Sequence, residues 1–519
     1  MKSDRLWLLL LLTAAVILYT SNLGESPLRD WDEGTVAMVA RNIWRGNESN
    51  DAWLYPTIGY DRPYWNKPPL VHWSIAICYQ LFGISEWSSR IFPALLSAVS
   101  VPVVYKIARE IFKPLTPAIF SAVVYLTLMP IVRHGRLAML DGAIALWYTL
   151  AIWCFLKARY RWQYTIGAGI ALGLICLTKG IMMGVLLGGI AIAFLLWDAP
   201  KLLKSFYFWG ALCLGVVPAI AWYGMQYLHY GEAFLGINLG KQTFNRIWQP
   251  VSNSSYPPWY YLLEIVKYTF PWLLFLPGGI KLAIQNKNSS WAKLALVWGG
   301  IYLLAISSMV TKLPWYIMPI YPALALLIGA ELHEIWQKSS LNDFLWLKLY
   351  LSFLVLICYL SSIYYGWLAP AIEKDLQLVF IVLGLGLTIA AVLAWRNSRY
   401  FIVALAGGLY FALLLFFHSD NWIWELAENY PVKPIAERIS QYVPPKQIIY
   451  TSDTIRRPSL EFYSDRVILP KPKEKLQKLW QEEKSVYFLL DRKAIAHLDL
   501  KKVKILGDSV TWQLITRND

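Results

Sequence analysis

The sequence predicts an all-α polytopic membrane protein of about thirteen transmembrane helices, followed by a small C-terminal α/β domain outside the membrane. Three observations predict this. The 519 residues are 57% hydrophobic and only 16% charged, where soluble domains carry about 25% charged residues. Apolar runs of about 18–20 residues, the length that crosses a ~30 Å hydrocarbon core, recur along the chain. From about residue 430 onward no such run occurs, and short strand patterns alternate with helical ones. The 27 Trp and 32 Tyr suit membrane–water boundaries, so most of them read as anchors.

Lys2 and Arg5 precede the apolar run at 6–19. This resembles a signal peptide but lacks a small-x-small cleavage site, so it reads as the first span, with its N-terminus inside. A polar first loop (24–88) follows, opening R-D-W-D-E-G and running on to Y-W-N-K-P-P-L. The short apolar stretch 70–82 follows the double proline and reads as an interfacial or re-entrant helix. Spans then fall at 89–108, 116–132, 138–157, 163–180, 182–198 and 206–228, and after a polar gap at 229–258, at 259–279, 291–308, 313–332, 345–367, 377–395 and 399–417. The domain division is 1–429 for the membrane part and 430–519 for the α/β part, with helical pattern at 432–442 and 474–483 and strands at 447–450, 467–469, 486–490, 503–506 and 511–515.

The net charge of +15 does not indicate nucleic-acid binding, because the cations sit in short loops between apolar runs. With the N-terminus inside, the loops after even-numbered spans hold Arg109, Lys113, Lys157, Arg159, Arg161, Lys201 and Lys204, a positive-inside pattern. The first loop, 133–141, 178–180, 229–258, 311–312 and the C-terminal domain then share the outer side. Charges that converge on one side of a bundle suggest a common site. The five cysteines lie in apolar runs with no C-x-x-C pair and read as small buried hydrophobes. The six histidines lack ligand spacing, and there is no P-loop, G-x-S-x-G or dinucleotide fingerprint.

The chemistry-bearing groups are few. Asp30, Asp32 and Glu33 crowd the start of the first loop, where a carboxylate suits a general base or equally caps a helix over 33–45. Asp141, at a span mouth, is a cap or a site member. Lys67, Lys179, Lys312, Arg133, Arg136 and Arg246 lie on the outer side, where they either hold a phosphate or snorkel to headgroups. One carboxylate with several cations is sufficient for glycosyl transfer from a lipid-phosphate sugar. The leaving phosphate needs only charge stabilisation, and the acceptor hydroxyl needs a base. The alternative is a transporter or flippase of a lipid-linked sugar, which tends to show internal repeats; none is evident. A non-catalytic scaffold is the third reading.

The segments D-E-G-T-V-A-M-V-A-R-N-I, Y-W-N-K-P-P-L-V-H-W, R-L-A-M-L-D, L-T-K-G and K-L-P-W-Y-I-M-P-I-Y-P, in order from about 30 to 330, resemble the membrane glycosyltransferases that include the lipid A aminoarabinose transferases and the dolichyl-phosphate-mannose–protein mannosyltransferases. The resemblance implies a GT-C fold in the inner membrane, with a cytoplasmic N-terminus and a periplasmic C-terminal domain. It also implies an inverting transfer on the periplasmic face, from a polyprenyl-phosphate sugar donor among membrane lipids to a lipid, protein or glycan acceptor. By the same resemblance Asp32 is the base or acceptor-positioning group, Glu33 the second acid of its pair and Asp141 the second acidic position. Lys67, Lys179, Lys312 and Tyr316 become donor-phosphate contacts, joined by Arg246 from the outer side. Asn66 stands where relatives often carry an acid, and 252–261 lacks a histidine common there, so neither a metal nor another cofactor is expected.

Overall fold

Proline, glycine and charge punctuate the apolar runs, and most runs become single helices whose backbone groups are satisfied internally, as a membrane demands. The computed structural model describes residues 2–46, 51–59, 62–250, 255–338, 340–342, 344–422, 432–452, 457–482, 485–498, 500–509 and 512–518. The first helices are α1 (Lys2–Thr20), α2 (Asp32–Arg45), α3 (Leu70–Phe82), α4 (Glu86–Ile111), α5 (Thr116–Leu126), α6 (Met129–Gly135), α7 (Asp141–Ala158), α8 (Tyr164–Lys179) and α9 (Ile181–Asp198). Long helices follow at Phe206–Tyr230, Ser290–Ser308, Tyr321–Gln337, Leu345–Ile363 and Lys374–Trp395, with a shorter one at Phe401–Phe416. The expected 429/430 boundary lies outside the described residues, as do 251–254 of the 229–258 gap and residues 483 and 511.

The chain is a multi-pass membrane protein. Among the described residues eight helices are long and apolar enough to cross a membrane, or nine if the bent pair α5–α6 forms one span. The expected count of about thirteen is higher because it also took shorter or interrupted apolar runs as crossings. Phe401–Phe416 has 16 residues, which rise about 24 Å, less than the hydrocarbon thickness. The run at 116–132 bends by 57° between α5 and α6, where Pro130 enters at the start of α6. The run at 259–279 divides into Tyr260–Tyr268, Trp272–Phe275 and Leu276–Gln285 around Pro271. The short helix expected at 70–82 is α3.

Two compact units form. One comprises 1–23, 65–71 and 90–422; the other comprises 24–64, 72–89 and 423–519. The second unit contains a five-stranded sheet of order β4-β3-β5-β7-β6, from β3 (Ile448–Thr451), β4 (Val467–Pro470), β5 (Tyr487–Leu490), β6 (Val503–Asp508) and β7 (Gln513–Arg517). β3, β4 and β5 are parallel, with Ile449 opposite both Ile468 and Tyr487; β7 runs antiparallel to β5 and β6. All five expected strands are present. The pattern missed two short helices, Pro458–Ser464 and Arg492–His497, whose local signals are Pro458 in the first turn and Asp491 capping Ala494 N at 2.6 Å. The cysteines are free, and Cys213 is exposed rather than buried, on a wall of the Phe206–Tyr230 helix.

Candidate functional site

In the first unit, α8 ends at Gly180, whose φ of +113° is a conformation that glycine alone adopts readily. The L-T-K-G segment therefore places Lys179 as the last helical residue, just before the turn into α9. Asp141 begins α7. The segment before it is anchored by Arg136, which is fully buried and donates to Leu18 O at 2.6 Å and Ser21 O at 2.5 Å, with its guanidinium 4.8 Å from the Phe417 ring. Arg133 likewise donates to Trp422 O at 2.8 Å. These two arginines, read from sequence as candidate phosphate cations, brace the backbone instead.

Lys179 Nζ meets Asp141 Oδ1 at 2.5 Å, and the two side chains are only 9% and 4% exposed. The same ammonium lies 5.1 Å from the centre of the Tyr316 ring. Tyr316 sits in the 3-10 turn Pro314–Ile320, bounded by prolines in the K-L-P-W-Y-I-M-P segment. Its carbonyl accepts from Tyr302 Oη at 2.6 Å, and its hydroxyl accepts from Arg246 Nη1 at 2.9 Å. Arg246 reaches it because residues 310–311 run beside 246–249: Val310 N donates to Ile247 O at 2.9 Å and Thr311 Oγ1 to Gln249 O at 2.8 Å. Arg246 Nη2 donates to Gln242 Oε1 at 2.7 Å, and Gln242 Nε2 to Asn66 Oδ1 at 3.2 Å, immediately before Lys67.

Asp141, Lys179, Tyr316, Arg246, Gln242 and Asn66 thus form one chain of contacts, with half-buried Lys67 adjoining its end. Arg246 Nε and Trp65 Nε1 are buried with no hydrogen-bond partner among the described residues, so two N–H donors remain for an oxygen-rich ligand. Lys312 points elsewhere: it is 3% exposed and its ammonium donates to Met309 O. Burial lowers its affinity for the proton.

The three carboxylates of the first loop lie in the second unit, and their environments differ. Asp30 is 1% exposed and accepts from Arg457 Nη1 and Ser459 Oγ, each at 2.6 Å. Glu33 is fully buried, and its Oε2 accepts Arg29 N at 2.9 Å, bracing the turn that leads into α2. Asp32 is the partly exposed member, at the first position of the helix. The N-cap residue is Trp31, with no side-chain cap hydrogen bond, so the capping reading for these acids is not what is found. Gly34 is needed for space, since a Cβ there would lie 2.6 Å from Ser459 N and 2.9 Å from Ser459 Cα. Arg41 donates to Phe462 O at 2.6 Å, and Arg45 makes a two-pronged pair with Asp465 at 2.7 and 2.8 Å. Burial pushes the Asp465 carboxyl up, but Arg45, Arg41 and Arg466 outweigh it and hold it below the usual range.

Among the described residues no three His, Cys, Asp or Glu side chains converge as a metal site requires. At Asn66 the side-chain oxygen accepts from Gln242 Nε2 at 3.2 Å.

The fold is that of the GT-C membrane glycosyltransferases, as the motifs implied. It superposes on ArnT from Cupriavidus metallidurans bound to undecaprenyl phosphate with a TM-score of 0.80 at 20% identity, covering 98% of each chain. Residues 66–223 match the family described as dolichyl-phosphate-mannose-protein mannosyltransferase. The chain is also 29% identical to undecaprenyl phosphate-alpha-4-amino-4-deoxy-L-arabinose arabinosyl transferase 1 of Pseudomonas fluorescens over 337 residues, 63% of this chain and 60% of that protein. It is 27% identical to an uncharacterised protein of Aquifex aeolicus over 90% of this chain and 88% of that one. The chain therefore spans about 60% of the arabinosyl transferase relative's length in that match. The resemblance read from the motifs is borne out by these similarities.

Proposed function

We propose that this protein is an inverting glycosyltransferase of the inner membrane that moves a sugar from a polyprenyl-phosphate carrier to a hydroxyl or phosphate acceptor on the periplasmic face. The observation that carries this reading is the contact chain Asp141–Lys179–Tyr316–Arg246 in the first unit. It sets two cations and a phenol beside a buried carboxylate, with donor N–H groups still unmet. As the acceptor oxygen bonds to the anomeric carbon, the bond from that carbon to the phosphate oxygen breaks and the polyprenyl phosphate leaves with the electron pair, unprotonated, so fixed cations are the help it needs. Arg246, Lys179 and Lys67 are assigned to that charge, with Tyr316 holding Arg246 in place. Lys312, turned toward Met309 O, is assigned a supporting contact at the same segment.

Asp141 is paired with Lys179 in the resting protein. A phosphate that draws on Lys179 loosens that pair and leaves Asp141 able to orient the acceptor. Asp32, the partly exposed carboxylate of its unit, is assigned the base, and buried Glu33 supports the helix start that presents it. The membrane part is assigned to 1–429 and the periplasmic α/β domain to 430–519, with the N-terminus in the cytoplasm. One relative is named as an undecaprenyl phosphate-alpha-4-amino-4-deoxy-L-arabinose arabinosyl transferase and the matched family as dolichyl-phosphate-mannose-protein mannosyltransferase, which supports a lipid-phosphate sugar as donor.

The test is mass spectrometry of glycolipids and glycoproteins in a strain lacking the protein. The expected result is accumulation of one polyprenyl-phosphate sugar with loss of one glycan or lipid modification. An unchanged set of glycoconjugates contradicts the reading.

A further inference from the structure

Asn238, Gln242 and Arg246 recur every fourth residue along the helical stretch formed by Gly236–Phe244 and Asn245–Trp248, so they share one face. Each has a defined partner. Asn238 is 3% exposed and donates to Trp65 O at 2.8 Å. Gln242 uses both ends of its amide: Nε2 donates to Asn66 Oδ1 at 3.2 Å, and Oε1 accepts Arg246 Nη2 at 2.7 Å. The other prong of Arg246 is spent on Tyr316 Oη at 2.9 Å.

We propose that Gln242 is a positioning residue for the lipid-phosphate donor. It sets the distance between Arg246 and the Trp65–Lys67 segment, so that both cations meet the phosphate already aligned. This rests on the donor-phosphate reading above and adds to it a residue that touches neither charge centre of the substrate. An arginine side chain has many rotamers, and ordering it on ligand binding costs affinity. Gln242 and Tyr316 fix both terminal nitrogens beforehand, leaving Nε as the unmet donor. The neutral amide also lets Asn66 and Arg246 be bridged without adding a negative charge that would repel a phosphate.

The test titrates undecaprenyl phosphate, with undecaprenol as the uncharged control, into the purified full-length protein in detergent, following tryptophan fluorescence. Arg246→Ala is expected to weaken phosphate binding at least about tenfold. Gln242→Ala is expected to weaken it about tenfold, equivalent to about 1.4 kcal/mol, and to leave undecaprenol binding unchanged. Gln242→Glu keeps an acceptor for Arg246 but adds a negative charge beside the phosphate position, so it is expected to weaken phosphate binding at least as much as Gln242→Ala and to leave undecaprenol binding unchanged. Gln242→Ala and Asn66→Ala combined are expected to cost less than their separate losses together, because both cut one relay. Parent-like binding by Gln242→Ala beside a weakened Arg246→Ala overturns this proposal and leaves the phosphate reading standing. Undecaprenol binding weakened as much as undecaprenyl phosphate binding in Gln242→Ala also overturns it, since a purely structural loss moves both. Parent-like binding by Arg246→Ala overturns the phosphate reading itself.

Discussion

Gly34→Ala puts one methyl group between α2 and the Pro458–Ser464 helix. The new Cβ meets Ser459 N at 2.6 Å, Ser459 Cα at 2.9 Å and Pro458 C at 3.1 Å, all backbone atoms that no rotamer change can move. Ordinary contact begins near 3.4 Å, so the two elements must part by about 0.8 Å. Overpacking of this kind costs about 1–3 kcal/mol. The shift also pulls Ser459 Oγ from Asp30, a charge-assisted hydrogen bond to a buried carboxylate worth about 1.5–3 kcal/mol. Against this, alanine is the better helix former by about 1 kcal/mol. The net expectation is a destabilisation of about 1.5–5 kcal/mol. The assay is thermal unfolding of the full-length protein in detergent, with amide hydrogen exchange locating the loss in α2. A variant as stable as the parent, or more stable because propensity wins, refutes the close packing and the clamp on Asp30.

Lys179→Met and Asp141→Asn each leave a buried charge without its ion-pair partner and are expected to cost about 3–5 kcal/mol in detergent unfolding. The double variant is expected to cost much less than both losses together, and additivity would refute the pair. Asp32→Asn is expected to abolish transfer, by at least about 10² in rate, with parent-like unfolding; retained turnover removes Asp32 from the mechanism. Because Asp465 is held below its usual range in the folded state, its ion pairs with Arg45 and Arg41 contribute stability above about pH 4 and lose it as pH falls further. An Asp465→Asn variant should therefore show a shallower acid loss of stability than the parent, measured by unfolding between pH 7 and 3.

What the sequence revealed depended on whether a residue's partner was near or distant in the chain. Asp141 and Lys179 stood out because each sits at the end of an apolar run, beside glycine, where only a site or a cap justifies the charge; Tyr316 was marked by the family resemblance alone. Their mutual contact needed the bundle, yet their common side followed from counting spans. Gln242 and Asn238 carry no charge and look like ordinary loop amides; only their spacing of four and eight residues before Arg246 marks them. Arg133 and Arg136 were read as free cations because backbone carbonyls at Leu18, Ser21 and Trp422 leave no trace in composition. The hold of Arg457 and Ser459 on Asp30 spans more than 400 residues and no local pattern announces it. The α/β domain was legible in its strands, since β5 reads as a near-continuous apolar run suited to a buried central strand, and it lies between β3 and β7.

The most direct test of the central claim supplies the purified protein, in liposomes, with a polyprenyl-phosphate sugar radiolabelled in the sugar and with an acceptor extract. The account predicts that label leaves the lipid carrier and appears covalently in the acceptor fraction, and that Lys179→Met and Arg246→Ala abolish this release. Label that crosses the liposome membrane while remaining on its carrier would contradict the account and establish transport in its place.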